Sequence, residues 1–226
     1  MTYADAIRLT EVLLCLTLIQ QGLEHLRGGK TEKLLFLIRT ALTVPVILGL
    51  GSPWPLAAMA VLSLFILHRF QGPYNGGSDR MGLLALWCLT LSRLAPGQNL
   101  KEVIFAYLGA QLMLSYLISG WVKVVNPDWR SGRALADVFQ FSAYPVSEEL
   151  RTWADRPQVM FVMSWAVMLF ELTFPLTLVS PMALTFGLVI AALFHLANAC
   201  LFGLNRFFWT WICVYPALIW LQGRLF

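Results

Sequence analysis

The sequence predicts an all-α, polytopic integral membrane protein, a helical bundle of about eight transmembrane helices with one further helix at the membrane interface. Of its 226 residues, 58% are hydrophobic and only 12% are charged, and the mean hydropathy is +0.69. A soluble domain carries about 25% charged residues, and one of this size could not bury so many apolar side chains. The composition also excludes a disordered chain and a scaffold held together by disulfides.

Eight apolar segments approach the length of about 20 residues that a helix needs to cross a bilayer. The predicted helices are 7–26, 34–50, 55–70, 81–94, 102–122, 158–179, 181–202 and 207–221. The second of them ends at the breaker-rich sequence GLGSPWP. The second, third, fourth and eighth are short, which is compatible with tilted neighbours or with partial penetration of the membrane.

The longest polar stretch, residues 123–157, is predicted to be an interfacial or re-entrant segment. Within it, residues 131–141 carry apolar side chains at helical spacing, which is typical of an amphipathic helix: Ala134, Leu135, Val138 and Phe139. The sequence contains no internal repeat and no low-complexity tract. We therefore predict one membrane domain, residues 1–226, without a separate soluble domain.

The distribution of basic residues predicts an orientation. Eleven Lys and Arg residues lie in the loops after the first, third, fifth and seventh predicted helices, and four lie on the opposite side. The positive-inside rule then places the eleven in the cytoplasm and both termini outside the cytoplasm. The net charge of +4 therefore reports membrane orientation and not nucleic-acid binding. Five of the eleven lie in the 123–157 segment, and they would not count as orientation signals if they bind a ligand.

Polar side chains inside predicted membrane helices are candidates for a functional site, because an ionisable group there costs several kcal/mol unless it is paired or hydrated. Glu171 lies within the sixth helix, in FELTFPLTL. His195 and Asn198 lie three residues apart on one face of the seventh helix, and Lys123 closes the fifth. Each has two interpretations: a bond that holds helices together, or a place in a ligand pocket.

Asp128 and Trp129 follow Lys123 at the start of the polar stretch. Asp128 is predicted to cap a helix that begins near Trp129 or Arg130, because its carboxylate can accept from the first amides of that helix. Trp129 suits the level of the lipid headgroups. Both residues are therefore candidates for positioning the interfacial segment beside Lys123.

No metal site is predicted. A metal needs clustered ligands, whereas the four cysteines are scattered through apolar runs and form no C-x-x-C pair: Cys15, Cys88, Cys200 and Cys213. The glycine-rich loop around residues 72–77 lacks the spacing of a phosphate-binding loop, so nucleotide binding is not supported either.

Three segments in order resemble one family. They are YNGGSDRMGLL at 74–84, YLISGWVKVVNPDWRSGRAL at 116–135, and FELTFPLTL followed by FHLANACLFGLNRF, which ends at Phe207. Over about residues 56–220 the chain resembles the HTTM domain, the membrane part of vitamin K-dependent gamma-carboxylases and their bacterial relatives. The resemblance implies a small bacterial-type member of this family in the inner membrane.

The resemblance also implies roles for individual residues. In the carboxylases, a lysine just after the glycine of the middle motif is the base that deprotonates vitamin K hydroquinone, which then reacts with oxygen. That role falls on Lys123, three residues after Gly120. Partial burial at a helix end disfavours the charged form of a lysine, as a general base requires. The implied ligand is a quinone-like or lipid molecule, with His195 as a second catalytic residue and a pocket lined by Glu171, Asn198, Asp128 and Trp129.

Two classes of function are favoured over a transporter or channel, for which the repeat of broken helices is missing, and over a purely structural anchor. One is a redox or modification enzyme that acts on the quinone-like or lipid molecule. The other is a noncatalytic membrane subunit that anchors, assembles or matures a partner protein. Gly77 favours the second, because it stands where the carboxylases have a functional histidine. The carboxylases also continue into a domain that grips their protein substrate, whereas this chain ends at Phe226, so we do not expect it to carboxylate a protein alone.

Overall fold

The fold is all-α, as predicted. The computed structural model describes residues 1–50, 53–69, 76–142 and 147–225, and every regular element in these ranges is helical. The α-helices in them are α1 (Tyr3–Glu24), α2 (Lys30–Ala41), α3 (Thr43–Ile47), α4 (Trp54–Arg69), α5 (Gly77–Leu94), α6 (Gln98–Val125), α7 (Pro127–Arg130), α8 (Arg133–Phe141), α9 (Pro157–Thr173), α10 (Pro181–Phe202) and α11 (Asn205–Leu225). Short 3-10 segments lie at His25–Arg27, Glu148–Asp155 and Phe174–Val179.

One predicted helix is wrong in its extent. The segment 34–50 was expected to be continuous, but it is divided into α2 and α3 at Leu42. Pro45 explains the break, because it has no amide hydrogen to donate to the carbonyl of Ala41, and its ring crowds that carbonyl. Helix α2 ends at Ala41 for this reason.

Four helical segments of the described residues are long and apolar enough to cross a membrane: Tyr3–Arg27, Gln98–Val125, Pro157–Val179 and Pro181–Phe202. Helix α4 is apolar as well, but it has only 16 residues. The four long spans make the chain an integral membrane protein by length and composition. That the remaining helices also cross the bilayer, to give eight spans, stays a prediction.

The chain divides into two compact units. The first comprises Met1–Ala110 with Trp209–Phe226, and the second comprises Gln111–Phe208. Most of the residues that the sequence analysis selected lie in the second unit. The single membrane domain expected from the sequence stays a prediction.

In the first unit, a buried carboxylate and two arginines connect α1 with α5 and α3. Glu11 of α1 is 2% exposed, and Arg93 of α5 donates to its two oxygens at 2.7 and 2.8 Å. Arg8 of α1 donates to the carbonyls of Val46 and Ile47 at the end of α3. The guanidinium groups therefore satisfy both a buried charge and the unpaired carbonyls of a helix end.

In the second unit, the predicted amphipathic helix is present as α8. Its buried residues Leu135 and Phe139 pack with Met160 of α9 and Phe202 of α10 in one hydrophobic cluster. Val138 was expected on the same apolar face, but it is 37% exposed. The buried stripe is therefore narrower than the sequence pattern suggested, and the placement of α8 at a membrane interface stays a prediction.

Gly132, between α7 and α8, fixes how this segment lies on α9. Its φ is +83°, a left-handed conformation that favours glycine. A Cβ atom at this position would lie 2.7 Å from the amide nitrogen of Phe161 and 2.8 Å from its Cα. The turn can therefore contact the backbone of α9 only because residue 132 has no side chain.

Candidate functional site

One face of α6 contributes three polar side chains and a glycine to the candidate site of the second unit. Tyr116, Ser119, Gly120 and Lys123 have the spacing i, i+3, i+4 and i+7, which places them in one stripe along the helix. Lys123 lies in the last turn of α6. This stripe faces Glu171 of α9 and His195 of α10.

The central feature is a salt bridge between Lys123 and Glu171. The ammonium nitrogen of Lys123 lies 2.8 Å from Oε1 and 2.6 Å from Oε2 of Glu171, and it donates to Ser119 Oγ at 2.6 Å. Ser119 in turn donates to Oε1 of Glu171 at 3.0 Å. Glu171 is 4% exposed, so this network satisfies a carboxylate that would be costly if it were left alone in the membrane.

Gly120 permits this approach of the two helices. A Cβ atom on Gly120 would lie 2.8 Å from the amide nitrogen of Leu172 and 3.0 Å from the Cβ of Glu171. Any side chain here would push α9 away from α6. The glycine therefore sets the helix separation at which Lys123 reaches Glu171.

A second buried contact joins α6 to α10. The Tyr116 hydroxyl and His195 Nε2 are hydrogen-bonded at 2.8 Å, and both residues are nearly inaccessible. The Tyr116 ring packs on Phe174 with their centroids 4.1 Å apart. Polar groups thus extend from Lys123 along the α6 stripe to His195, with aromatic rings around the inner end.

We expect Tyr116→Phe to lower the free energy of unfolding by about 1–3 kcal/mol, because it leaves the buried His195 Nε2 without this hydrogen bond. A double-mutant cycle with His195→Leu, measured by unfolding in detergent titrated with SDS, isolates the pair. Coupling of roughly 0.5–3 kcal/mol is expected for residues in contact. Strictly additive losses would mean that the hydrogen bond contributes nothing to stability.

Trp129 joins this site, whereas Asp128 turns away from it. The Lys123 ammonium lies 5.3 Å from the centroid of the Trp129 ring, within the range of a cation–π contact. The Trp129 carbonyl accepts from Ser164 of α9 at 2.5 Å. Asp128 instead pairs with Arg133 at 2.7 Å, and 43% of its side chain is exposed.

The predicted capping role of Asp128 is wrong. The N-cap of α7 is Asn126, whose side-chain oxygen accepts from the Asp128 amide at 2.9 Å. Helix α7 begins two residues earlier than expected because Pro127 occupies its first position, where the missing amide hydrogen has no cost. Asp128 is thus inside the first turn and cannot cap it.

We expect Asn126→Ala to be more damaging than Asp128→Ala. Loss of an N-cap costs about 0.5–2 kcal/mol, whereas an exposed ion pair contributes about 0–1 kcal/mol. Thermal unfolding of the two variants in the same detergent provides the comparison. A lower midpoint for Asp128→Ala than for Asn126→Ala would reverse this assignment.

Asn198 lies on the same side of α10 as His195 and is half-buried. In the ranges that the structure describes, its side chain forms no hydrogen bond, so it contacts neither Lys123 nor Glu171 in this way. The described residues also hold no group of three or more His, Cys, Asp or Glu side chains suited to a metal ion.

Three buried polar contacts were not foreseen from the sequence. Ser119 and Tyr116 precede Lys123 by four and seven residues, so helical spacing could have placed them on its face. Glu11 and Arg93 form the buried pair of the first unit. The sequence signal for this pair was an acidic residue, Glu11, within an apolar helix. That signal does not identify Arg93 as its partner.

The fold and site define a class: helical integral membrane proteins with a buried lysine–glutamate pair between spanning helices. The chain belongs to the HTTM domain family, whose model matches residues 98–222. The match covers the middle and last of the three resembling segments and begins after the first. Comparison with curated proteins gave no match, and neither did comparison with solved structures.

Proposed function

We propose that this protein is a membrane redox or modification enzyme that removes a proton from a quinone-like or lipid molecule, with Lys123 as the general base. The observation that supports this proposal is the Lys123–Glu171 pair, buried between α6 and α9 and bonded to Ser119. Such a pair places an amine and a carboxylate at one point within an apolar environment. Acid–base groups in this setting are candidates for catalysis.

In this proposal the pair supplies a neutral base by an internal proton transfer. Transfer of one proton from Lys123 to Glu171 gives a neutral amine beside a neutral carboxylic acid. The lone pair on Nζ then accepts the proton of a substrate hydroxyl, and the substrate becomes an anion while the pair gains one positive charge. The Trp129 ring, 5.3 Å from Nζ, stabilises that ammonium.

The remaining candidates have supporting roles in this proposal. His195 is the second catalytic group. When the ligand binds, His195 gives up its hydrogen bond with the Tyr116 hydroxyl and forms one with an oxygen of the ligand. Asn198 contributes its side-chain amide to the pocket. Trp129 covers the lysine. Asp128 is left out of the pocket because its carboxylate pairs with Arg133.

The test is oxygen uptake by the purified protein with menadiol, a reduced naphthoquinone. A deprotonated hydroquinone passes its electrons to oxygen faster than the neutral form, so a general base accelerates uptake, typically by about 10²- to 10⁴-fold. We expect the wild type to accelerate uptake and Lys123→Arg to lose the effect, because a guanidinium keeps the charge but does not act as a base.

The matched control is Lys33→Arg, at an exposed position of α2. It should retain the wild-type rate. Full activity in Lys123→Arg would refute the assignment of Lys123 as the base. Equal rates for wild type, both variants and empty micelles would refute hydroquinone chemistry.

One observation favours the noncatalytic subunit as a second candidate. Lys123 Nζ has three acceptor atoms at 2.6–2.8 Å, and an ammonium has three hydrogens, so the lysine is fully bonded as a structural lock would be. The reversed pair, Lys123→Glu/Glu171→Lys, distinguishes the candidates. If the pair only holds the helices together, the reversed variant should recover both stability and biological output. If Lys123 is a catalytic base, the variant should recover stability but not output, because the amine then lies on α9.

A further inference from the structure

Two neighbouring side chains of α9 hold the backbone of α7. The Ser164 hydroxyl donates to the Trp129 carbonyl at 2.5 Å, and the Trp165 indole nitrogen donates to the Arg130 carbonyl at 3.1 Å. Both acceptors belong to the last residues of α7, where a helix has carbonyls without partners of its own. The two bonds therefore fix the C-terminal end of α7 to α9.

The bond that Ser164 forms differs from those of other hydroxyls within these helices. Serine and threonine inside a helix commonly donate to a carbonyl one turn earlier in the same helix, as Thr173 of α9 does to Leu169 at 2.7 Å. Ser164 is fully buried, and its hydroxyl donates to another helix. Its contribution is therefore to the placement of α7.

The same face of α9 also binds Lys123. Ser164 and Glu171 are seven residues apart, two turns along one stripe of the helix, with the buried Met168 between them. Glu171 binds the Lys123 ammonium, whereas Ser164 binds the backbone of Trp129, whose ring centroid lies 5.3 Å from that ammonium. One stripe of α9 thus sets the positions of both partners in the cation–π contact.

We propose that Ser164 and Trp165 are positioning residues, which hold the Trp129 ring over the Lys123 ammonium. The contact requires the cation to lie within about 6 Å of the ring centroid, and at 5.3 Å a small displacement of α7 would weaken it. This inference rests on the proposed function, in which the ammonium forms each time Lys123 accepts a substrate proton.

The experiment measures how fast acetic anhydride acetylates Lys123 in the purified full chain, with the exposed Lys33 as internal reference. Acetylation takes place on the neutral amine, so a contact that stabilises the ammonium slows it. Ser164→Ala should raise the Lys123 rate by about two- to fivefold, the factor that corresponds to a cation–π contact. Trp165→Phe, which keeps an aromatic ring but loses the donor, should act in the same direction. Peptide mass spectrometry reports both lysines.

A variant without the ring shows whether Ser164 acts through Trp129. Trp129→Leu should itself raise the Lys123 rate, and addition of Ser164→Ala should raise it no further. A hydroxyl that only stabilises the fold would raise the rate equally with and without the ring. The matched control is Ser115→Ala in α6, whose hydroxyl donates to Leu112 of its own helix, and it should leave the rate unchanged.

The outcomes distinguish this inference from the proposed function. An unchanged acetylation rate in both Ser164→Ala and Trp165→Phe would overturn the positioning role, as would an equal effect of Ser164→Ala with and without the ring. Either result would leave the assignment of the base in place. Full oxygen uptake in Lys123→Arg would instead refute the base and not the position of the ring.

Discussion

Replacing Lys123 by Met is expected to lower the free energy of unfolding by about 3–5 kcal/mol, because the substitution leaves the buried charge of Glu171 without its counterion. Ser119 would remain as a partner, but a hydroxyl does not compensate a carboxylate in an apolar environment. Unfolding in detergent titrated with SDS measures the loss. Lys33→Met, which removes an exposed lysine of α2, should cost little by comparison.

The double variant Lys123→Met/Glu171→Met should recover most of that loss. A buried ion pair replaced by apolar residues of similar volume is often neutral in stability, since the desolvation cost of both charges disappears. If the double variant is less stable than Lys123→Met alone, then Glu171 stabilises the fold by more than neutralising the charge of Lys123. The proton abstraction proposed for Lys123 should be lost in either case.

Gly132→Ala is expected to lower the free energy of unfolding by about 2–5 kcal/mol. A left-handed conformation costs a non-glycine residue about 1–2 kcal/mol, and forcing an extra methyl against packed atoms costs about 1–3 kcal/mol more. The packed atoms here belong to the backbone of Phe161, which cannot move aside as a side chain does. Release of the α7–α8 segment should appear as faster limited proteolysis within residues 127–141.

Gly97→Ala separates these two contributions. Gly97 has the same φ of +83°, but a Cβ atom there would have no heavy atom within 4 Å. It should therefore show only the conformational part, about 1–2 kcal/mol. Equal destabilisation by the two substitutions would exclude the close approach of Gly132 to α9 as the reason for this glycine.

Much of the fold follows from local patterns. Apolar runs near the length of a bilayer crossing produce helices wherever the chain cannot otherwise satisfy its backbone in lipid. The break at Leu42 also has a local cause, because Pro45 interrupts the helix. It was missed because the apolar run continues through it. That Lys123 and Glu171 need polar partners could be predicted because charge in such helices is costly, and the family was recognisable from the residues around them.

The partners of these residues could not be read from the same patterns. Lys123 and Glu171 are 48 residues apart, and hydropathy is nearly the same all round α9, so it does not tell which side faces α6. That choice depends on close contacts at Gly120 and Gly132, where the backbones meet because no side chain intervenes. Asp128 could equally have faced Glu171 or water, and it lies beside Arg133 because Pro127 and Asn126 set the start of α7. Helices follow from the chemistry of neighbouring residues, whereas the site follows from which surfaces can approach each other.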